Sequence, residues 1–372
     1  MNVFKLEDYL TKYEFSAKYL LCCSDAESLA MSDILAMASN EEKELWENLR
    51  LGYTETSGLP ALRQTVAHQL YQGLTEDNIL MCAGAEDGIF CALHSLIEAG
   101  DHVIVLTPCY QSLFEVPKLR GADVTEVGLR EENDWRIDLG AVESAIKPNT
   151  KCIIINFPHN PTGQVIEEEE LRALVDMCRS RGIWLFSDEV YRLLGQPNKS
   201  WSSPAALIYE KALSVGVMSK AFGMPGLRVG WIACQDKEML KKIGHMKHYT
   251  SICNAAPSEI LTLIALRNKE KILQRNNQIV EDNLKLLDQF FLEYAHLFEW
   301  VRPQGGCIGF VRYKGAEVID VFCDRLVRSS NVLLMPASIY SYDSNHFRVG
   351  FGRKNMPESL EQFKEFLDNE NI

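Results

Sequence analysis

The stretch CIIINFPHNPTGQVIEEEELRALVDMCRSRGIWLFSD, residues 152–188, predicts a strand, a helix and a second strand in succession. The apolar runs CIIIN and IWLFSD are short and continuous, which is typical of strands that are buried on both faces. Between them, four apolar residues recur at helical spacing on one face: Leu171, Leu174, Val175 and Cys178. Gly182 is expected to end this helix. The unit indicates a parallel sheet covered by helices.

The same pattern extends in both directions and sets the fold class. Further apolar runs alternate with amphipathic segments: ILMC, VIVL, VTEV, ALSVGVM and RVGWIAC. Together, these runs predict an α/β fold with a mostly parallel seven-stranded sheet and helices on both faces. After Pro257 the pattern becomes a long helical segment followed by strands and helices, as in a smaller α+β domain. We therefore predict a large domain over residues 41–257 and a small domain formed by residues 1–40 and 258–372.

The composition limits the classes of function. Of 372 residues, 47% are hydrophobic and 24% charged, as in a folded, soluble protein. A formal net charge of −13 without a basic tract disfavours nucleic acid and anionic membranes as partners. Eleven cysteines without a C-x-x-C pair favour reduced thiols in a cytoplasmic protein, and we predict no metal site. The N-terminal segment is too charged for a signal peptide, and no apolar run reaches the ~20 residues of a membrane span.

Three polar motifs follow predicted strands directly. Asp188 ends the run IWLFSD, Lys220 follows ALSVGVM within SKAFGMPGLRVGW, and NFPHNPTG overlaps the end of CIIIN. Open α/β sheets bind their ligands beyond the carboxyl ends of the strands. We therefore expect these motifs to meet in one crevice.

Four separated motifs resemble those of a known family. NFPHNPTG, SDEVY, SKAFGMPGLRVGW and FRVGFGR are similar, in this order, to motifs of the class I and II aminotransferases, which are fold type I pyridoxal-phosphate enzymes. The resemblance extends from LGYTETSGLPALR to HFRVGFGR. It implies pyridoxal 5′-phosphate as cofactor, and transfer of an amino group between an amino acid and a 2-oxo acid through a lysine Schiff base.

The resemblance also implies roles for individual residues. Lys220 would form the Schiff base and carry the proton at the substrate α-carbon. Asp188 would face the pyridine nitrogen and keep it protonated. Asn160 and Tyr191 would bind the phenolic oxygen of the ring, and Tyr110 would stack on the ring face.

The cofactor phosphate would be held by a second group of residues. Arg228 would bind it bidentately and Ser219 would add a hydroxyl, while Gly84 opens a helix whose first amides belong to Ala85 and Glu86. Three glycines would let the backbone approach closely: Gly223, Gly226 and Gly230. Because a carboxylate is repelled by a phosphate, we expect the side chain of Glu86 to turn outward and only its amide to bind.

Two further residues are expected to contact the substrate and a neighbouring subunit. By the resemblance, Arg348 would bind the α-carboxylate of the substrate, next to Asn160, because a planar guanidinium matches a carboxylate. Tyr53, in LGYTETSG, would reach the phosphate of a neighbouring subunit. The implied assembly is a homodimer with shared active sites.

Other reactions of the same cofactor stay open. The loop SDAES and the motif MSKAFGMPGLR also resemble the branch of capreomycidine synthase, which suggests a lyase, cyclase or oxidase acting on an amino acid such as arginine. The side chain of a cationic substrate would need acidic partners, and Glu14, Asp25 or Glu27 are the candidates, unless they are solvated helix caps. A non-catalytic binding module on the same fold is disfavoured, because Lys220 and Asp188 occur together with the substrate arginine.

Overall fold

A computed structural model describes residues 2–195 and 201–370. Its helices, in chain order, are α1 (Lys5–Tyr13), α2 (Met31–Ala36), α3 (Asn40–Glu47), α4 (Pro60–Leu70), α5 (Ala85–Leu96), α6 (Ser112–Leu119), α7 (Leu139–Ala145), α8 (Glu168–Arg181), α9 (Ala205–Ile208), α10 (Lys237–Lys247), α11 (Ala256–Arg267), α12 (Lys269–Glu293), α13 (Ile319–Ser330) and α14 (Met356–Asn369). Its strands are β1 (Ile79–Cys82), β2 (His102–Thr107), β3 (Asp123–Gly128), β4 (Thr150–Asn156), β5 (Trp184–Asp188), β6 (Ala212–Val217), β7 (Gly230–Ala233), β8 (Phe298–Trp300), β9 (Ile308–Tyr313), β10 (Met335–Pro336) and β11 (His346–Gly350).

The larger of the two sheets that these residues form has seven strands. Their order is β1-β7-β6-β5-β4-β2-β3. The pairs from β3 through β2, β4 and β5 to β6 are parallel, whereas β7 runs antiparallel to both β6 and β1. The predicted mostly parallel seven-stranded sheet is therefore confirmed, as is the α/β class.

Helices cover both faces of this sheet. In β2, Val103 and Val105 point into one buried cluster with residues of α5, α6 and α10, while Ile104 and Leu106 point into another with residues of α7 and α8. This alternation explains why the strand sequences are continuously apolar. The predicted helix is α8, and it ends at Gly182, whose φ of +68° is a left-handed conformation that suits glycine.

A second, antiparallel sheet has the order β10-β11-β9-β8 and packs with α13 and α14. The N-terminal segment contacts this part of the chain, since Tyr19 bridges to Val332 and the Tyr9 hydroxyl donates to the Leu334 carbonyl at 2.7 Å. The proposed boundaries of the large and small domains, at residues 40 and 257, stay a prediction. None of the helices in the described ranges is long and apolar enough to cross a membrane.

The direction of β7 brings several loops to one edge of the large sheet. Because β6 and β7 are antiparallel, the loop 218–229 leaves and returns at the carboxyl end of β6. Strand β1 is antiparallel to β7, so it also ends at this edge. With strands about 4.8 Å apart, the segments that follow β1, β6, β5 and β4 lie side by side over about 20 Å.

Candidate active site

A cavity of about 440 Å³ opens at this edge of the sheet. Ten residues with a predicted role in binding the cofactor or substrate through a side chain or amide line it: Ala85, Glu86, Tyr110, Asn160, Asp188, Tyr191, Ser219, Lys220, Arg228 and Arg348. Tyr53 does not line this cavity, and its side chain is 90% exposed. One chain therefore brings together the residues that the sequence scattered over more than 260 positions.

Lys220 lies in the loop after β6 and points into the cavity. Its Nζ donates to the Ser24 hydroxyl at 2.9 Å and lies 5.7 Å from the centroid of the Tyr191 ring. Burial lowers the pKa of the amine, because a charged ammonium is poorly solvated there. At a given pH, the neutral and nucleophilic form of the amine is therefore more populated than it is for an exposed lysine.

Asp188 and Tyr191 lie at and just beyond the end of β5. Asp188 is 3% exposed, and burial raises the pKa of its carboxyl to about 7, although the Val190 amide donates to its Oδ1 at 3.2 Å. Tyr191 is 1% exposed, and burial raises the pKa of its hydroxyl. That hydroxyl makes no hydrogen bond of normal geometry within the described residues. Both groups are suited to a polar ligand that enters the cavity.

Arg348 reaches the cavity from β11 of the smaller sheet. Its Nη1 donates to Asn160 Oδ1 at 3.2 Å and to the Tyr340 hydroxyl at 2.6 Å, and its Nη2 donates to the Cys22 carbonyl at 2.7 Å. The backbone N–H of Asn160 in turn donates to Asn156 Oδ1 at 2.9 Å. A side chain from the loop after β4, one from the segment between β10 and β11, and a carbonyl of the N-terminal segment thus fix one buried guanidinium.

Arg228 lies at the start of β7 in a left-handed conformation, with a φ of +51°. The guanidinium is exposed, and its Nη1 donates to the Pro225 carbonyl at 3.1 Å. A Cβ on Gly84 would lie 2.7 Å from Arg228 Nη2, so the absence of a side chain lets the guanidinium approach the backbone before α5. The first amides of α5, including those of Ala85 and Glu86, have no partner within the helix. Together they form a cradle for an anion.

The expectation that Glu86 turns outward is wrong. Its Oε1 accepts a hydrogen bond from the Ser112 hydroxyl at 2.5 Å, and its Oε2 is buried without a partner. Ser112 begins α6 and supplies the donor that holds the side chain inside. Burial raises the pKa of Glu86, which favours the neutral carboxylic acid. The hydrogen bond from Ser112, and not repulsion by a phosphate, therefore sets the orientation of this side chain.

Sequence reasoning missed several residues of the cavity. Ser24, Asn156 and Arg353 line it, and Tyr340 contacts both Arg348 and Asn160. Asn156 had a usable signal, because it is the polar end of a buried apolar strand. Nothing in the local sequence of Tyr340 distinguishes it from an ordinary loop residue.

The chain resembles known proteins over most of its length. Residues 21–363 match the model of the family described as aminotransferase class I and II. The chain belongs to this family. The aminotransferase is similar to a PLP-dependent aminotransferase from Streptococcus suis 89-1591, with a TM-score of 0.92 and 31% identity, over 99% of this chain and 98% of that one.

Two relatives of known name place this aminotransferase within the family. It is 32% identical over 331 residues to the aspartate/prephenate aminotransferase of Thermus thermophilus, which covers 85% of this chain and 83% of that protein. It is 25% identical over 349 residues to capreomycidine synthase from Streptomyces vinaceus, over 93% and 88% of the two chains. The protein is thus a pyridoxal-phosphate-dependent aminotransferase that transfers an amino group between an amino acid and a 2-oxo acid.

The residues present fit this cofactor. Pyridoxal phosphate carries an anionic phosphate, a basic ring nitrogen, a phenolic oxygen and an aldehyde. The aminotransferase offers the Arg228 cradle, the buried Asp188 carboxyl, the buried Tyr191 hydroxyl and the Lys220 amine in one cavity.

Proposed function

We propose that the cavity at the carboxyl edge of the large sheet is the active site of this aminotransferase. The observation that carries the proposal is that Lys220, Asp188 and Arg348, which come from three separate parts of the sequence, line the same cavity. An amine, a buried carboxyl and a fixed guanidinium are the three groups that transamination of an α-amino acid requires.

Each cofactor-binding residue then has a distinct task. Arg228, Ser219 and the first amides of α5 hold the phosphate. Asp188 pairs with the ring nitrogen, and its raised pKa falls once a cation is bound beside it. Tyr191 and Asn160 donate to the phenolic oxygen, and Tyr110 packs against the ring. When bound, the cofactor supplies the aldehyde and the electron-withdrawing ring.

The substrate-binding residues lie at the other end of the cavity. Arg348 binds the α-carboxylate, and its Nε, which has no partner within the described residues, remains available for this contact. Because Asn160 Oδ1 accepts from Arg348, the amide group of Asn160 is left to donate. With the carboxylate fixed, Lys220 removes the α-proton as a neutral amine, a form that its lowered pKa favours, and returns it as an ammonium.

A cyclase, oxidase or lyase acting on a cationic amino acid is the second candidate, supported by the likeness to capreomycidine synthase. Glu14 and Asp25 line the cavity, as a cationic side chain would require. Both carboxylate oxygens of Asp25, however, accept hydrogen bonds from Arg353 Nη2, at 2.9 and 2.8 Å. Glu27 does not line the cavity, and its carboxylate accepts from the backbone amide of Lys354 at 2.9 Å. Of the three candidates, Glu14 is left available to such a substrate, and Glu7 also lines the cavity.

We also propose a homodimer with shared active sites. Leu51, Tyr53 and Tyr249 are each at least 87% exposed, and the loops that carry them are joined by a bond from Thr54 Oγ1 to the Asn254 carbonyl at 2.9 Å. An apolar surface of this kind supports a subunit contact through which Tyr53 reaches the partner's phosphate. The unpaired cysteines of the described residues support a cytoplasmic location.

The reaction is tested by titrating the purified holoenzyme with a panel of amino acids while its absorbance is recorded. Conversion of the cofactor to its pyridoxamine form, reversed by a 2-oxo acid, is the expected result. Release of ammonia or consumption of oxygen would instead favour the second candidate. Sharing of active sites is tested by mixing the inactive Lys220→Ala and Tyr53→Ala variants, because only a shared site regains activity in the mixed dimer.

A further inference from the structure

The hydroxyl of Ser24 is the one side-chain group within hydrogen-bonding distance of the Lys220 amine among the described residues, at 2.9 Å. We infer that Ser24 is a positioning residue that holds this amine in place whenever it is free of the cofactor. The inference rests on the proposed role of Lys220. It concerns the half of the catalytic cycle in which the amine is released and moves the substrate proton.

The loop that carries Ser24 is fixed on both sides. The Gly350 amide donates to the Leu21 carbonyl at 2.6 Å, and the Glu27 amide donates to the Gly352 carbonyl at 2.8 Å. The ion pair between Asp25 and Arg353 adds a side-chain contact next to the serine. A hydroxyl on such a loop is held in place, so it can define where a flexible lysine side chain rests.

The same loop also contacts the backbone of the lysine and the substrate-binding arginine. The Ala26 amide donates to the Lys220 carbonyl at 3.3 Å, and the Cys22 carbonyl accepts from Arg348 Nη2 at 2.7 Å. A single short segment therefore touches the group proposed to bind the carboxylate and the group proposed to move the proton. Ser24 sets the distance between the free amine and the α-carbon of a substrate bound at Arg348.

A hydrogen bond also explains why a serine is useful here. An amine without a partner samples several rotamers in a cavity of this size, whereas one that donates to a fixed oxygen is restricted to one of them. The acceptor also stabilises the ammonium form relative to the neutral amine. The other charged or titratable groups around Lys220 are Glu14, Asp25, Asp188, Tyr191, Arg348 and Cys307. Of these, Tyr191 also faces the Ser24 hydroxyl.

The first experiment uses the holoenzyme and its best amino-acid substrate. Ser24→Ala should lower kcat by ~10- to 30-fold and leave KM within about threefold, because positioning of a proton-transfer group acts on the chemical step. Ser24→Thr, which keeps the hydroxyl, should recover most of kcat. The control is Ser28→Ala, an exposed serine on the same loop, which should match the wild type.

The second experiment uses cofactor-free protein, so it does not depend on turnover. Modification of Lys220 by trinitrobenzenesulfonate is followed by mass spectrometry across a pH series. Loss of the acceptor destabilises the ammonium, so Ser24→Ala should shift the midpoint of modification to lower pH by about 0.5 unit or more, and Ser24→Thr should not. Comparison with Ser24→Thr separates loss of the hydroxyl from a change in packing, because burial also acts on the pKa of this amine.

The inference is overturned if Ser24→Ala keeps wild-type kcat, or if its labelling midpoint coincides with that of the wild type. It is also overturned if Ser24→Ala weakens cofactor binding and raises KM in addition to lowering kcat, since that pattern indicates a purely structural role. Should the wild type transaminate no amino acid, the proposed function fails, while the labelling experiment still decides whether Ser24 holds the amine.

Discussion

The two arginines at the ends of the cavity are held in contrasting ways. Arg348 is 1% exposed and donates to Asn160, Tyr340 and the Cys22 carbonyl. Arg228 is exposed and donates to a neighbouring backbone carbonyl, and its position depends on a left-handed φ and on the missing side chain of Gly84. One guanidinium is fixed by side chains, the other by the shape of the backbone.

This difference matches the ligands proposed for each residue. A substrate that binds and leaves in every cycle benefits from a site that is already organised, because ordering a long side chain costs about 2 kcal/mol of rotamer freedom. A phosphate that stays bound can order an exposed arginine once. The comparison therefore predicts that the two ends respond independently to substitution.

The largest effect is expected from removal of the lysine between the two ends. Lys220→Ala should lower turnover by at least ~10⁴-fold, because the nucleophile and the proton carrier are lost together. The cofactor should still bind through the Arg228 cradle, without a borohydride-reducible link to the protein. Absorbance spectra and mass spectrometry after reduction measure both results. A reducible link to another lysine would contradict the assignment.

The ionisation of Asp188 tests whether the buried part of the cavity is shielded from water. In the cofactor-free protein its carboxyl has a pKa of about 7, whereas in the unfolded chain it titrates near 4. Between these values the folded state binds the extra proton, so stability is largest at low pH and falls as the pH rises towards 7. The loss is on the order of 2–4 kcal/mol.

Asp188→Asn cannot ionise, so it should remove this loss. Cofactor-free Asp188→Asn should be more stable than the wild type at pH 8, and the advantage should shrink towards pH 4.5. Urea unfolding at the two pH values measures it, with the exposed Asp343→Asn as control. An advantage that is equal at both pH values would show that the carboxyl is not desolvated.

Exchange of each arginine for lysine separates the two ends directly. Arg348→Lys should weaken amino-acid binding by ~10- to 100-fold with little change in cofactor affinity, since an ammonium replaces a two-pronged contact by a point charge. Arg228→Lys should weaken cofactor binding and leave the amino-acid response nearly intact. The cofactor dissociation constant and the amino-acid concentration for half-maximal spectral change are measured for both. If Arg348→Lys releases cofactor, the carboxylate assignment is wrong.

The sequence predicted those features that depend on short-range pattern. The strands β1 to β7 and the helix α8 follow from local hydrophobic periodicity, and the convergence of Asp188 and Lys220 follows from the rule that parallel strands end at one edge. Contacts between distant segments had no such signal. Arg348 and Cys22 are 326 positions apart, so the loop that carries Ser24 could not be placed against β11 from local sequence.

The predicted orientation of the Glu86 side chain was wrong for a related reason. The prediction considered the carboxylate and the phosphate alone, but the side chain is held by Ser112, 26 positions away, in a buried environment that raises its pKa. Burial and long-range donors decide such a case, and neither is visible in the motif. The same limit explains why Tyr340 was missed.

The smallest effect, and the sharpest test of the backbone-held arginine, is expected at Gly84. Its φ of +89° is strained for any other residue, and an added Cβ would lie 2.7 Å from Arg228 Nη2. Gly84→Ala should therefore push the guanidinium away from the helix start and weaken cofactor binding by ~10-fold, with amino-acid binding at Arg348 unchanged. Gly128→Ala, at the end of β3 and outside the cavity lining, is the matched control, because a Cβ there meets nothing within 4 Å and its φ is not positive. Cofactor dissociation constants from fluorescence titration of the cofactor-free proteins compare the two variants. Equal affinities for both would mean that the approach of Arg228 over Gly84 does not build the phosphate site, and that side chains hold this end of the cavity as well.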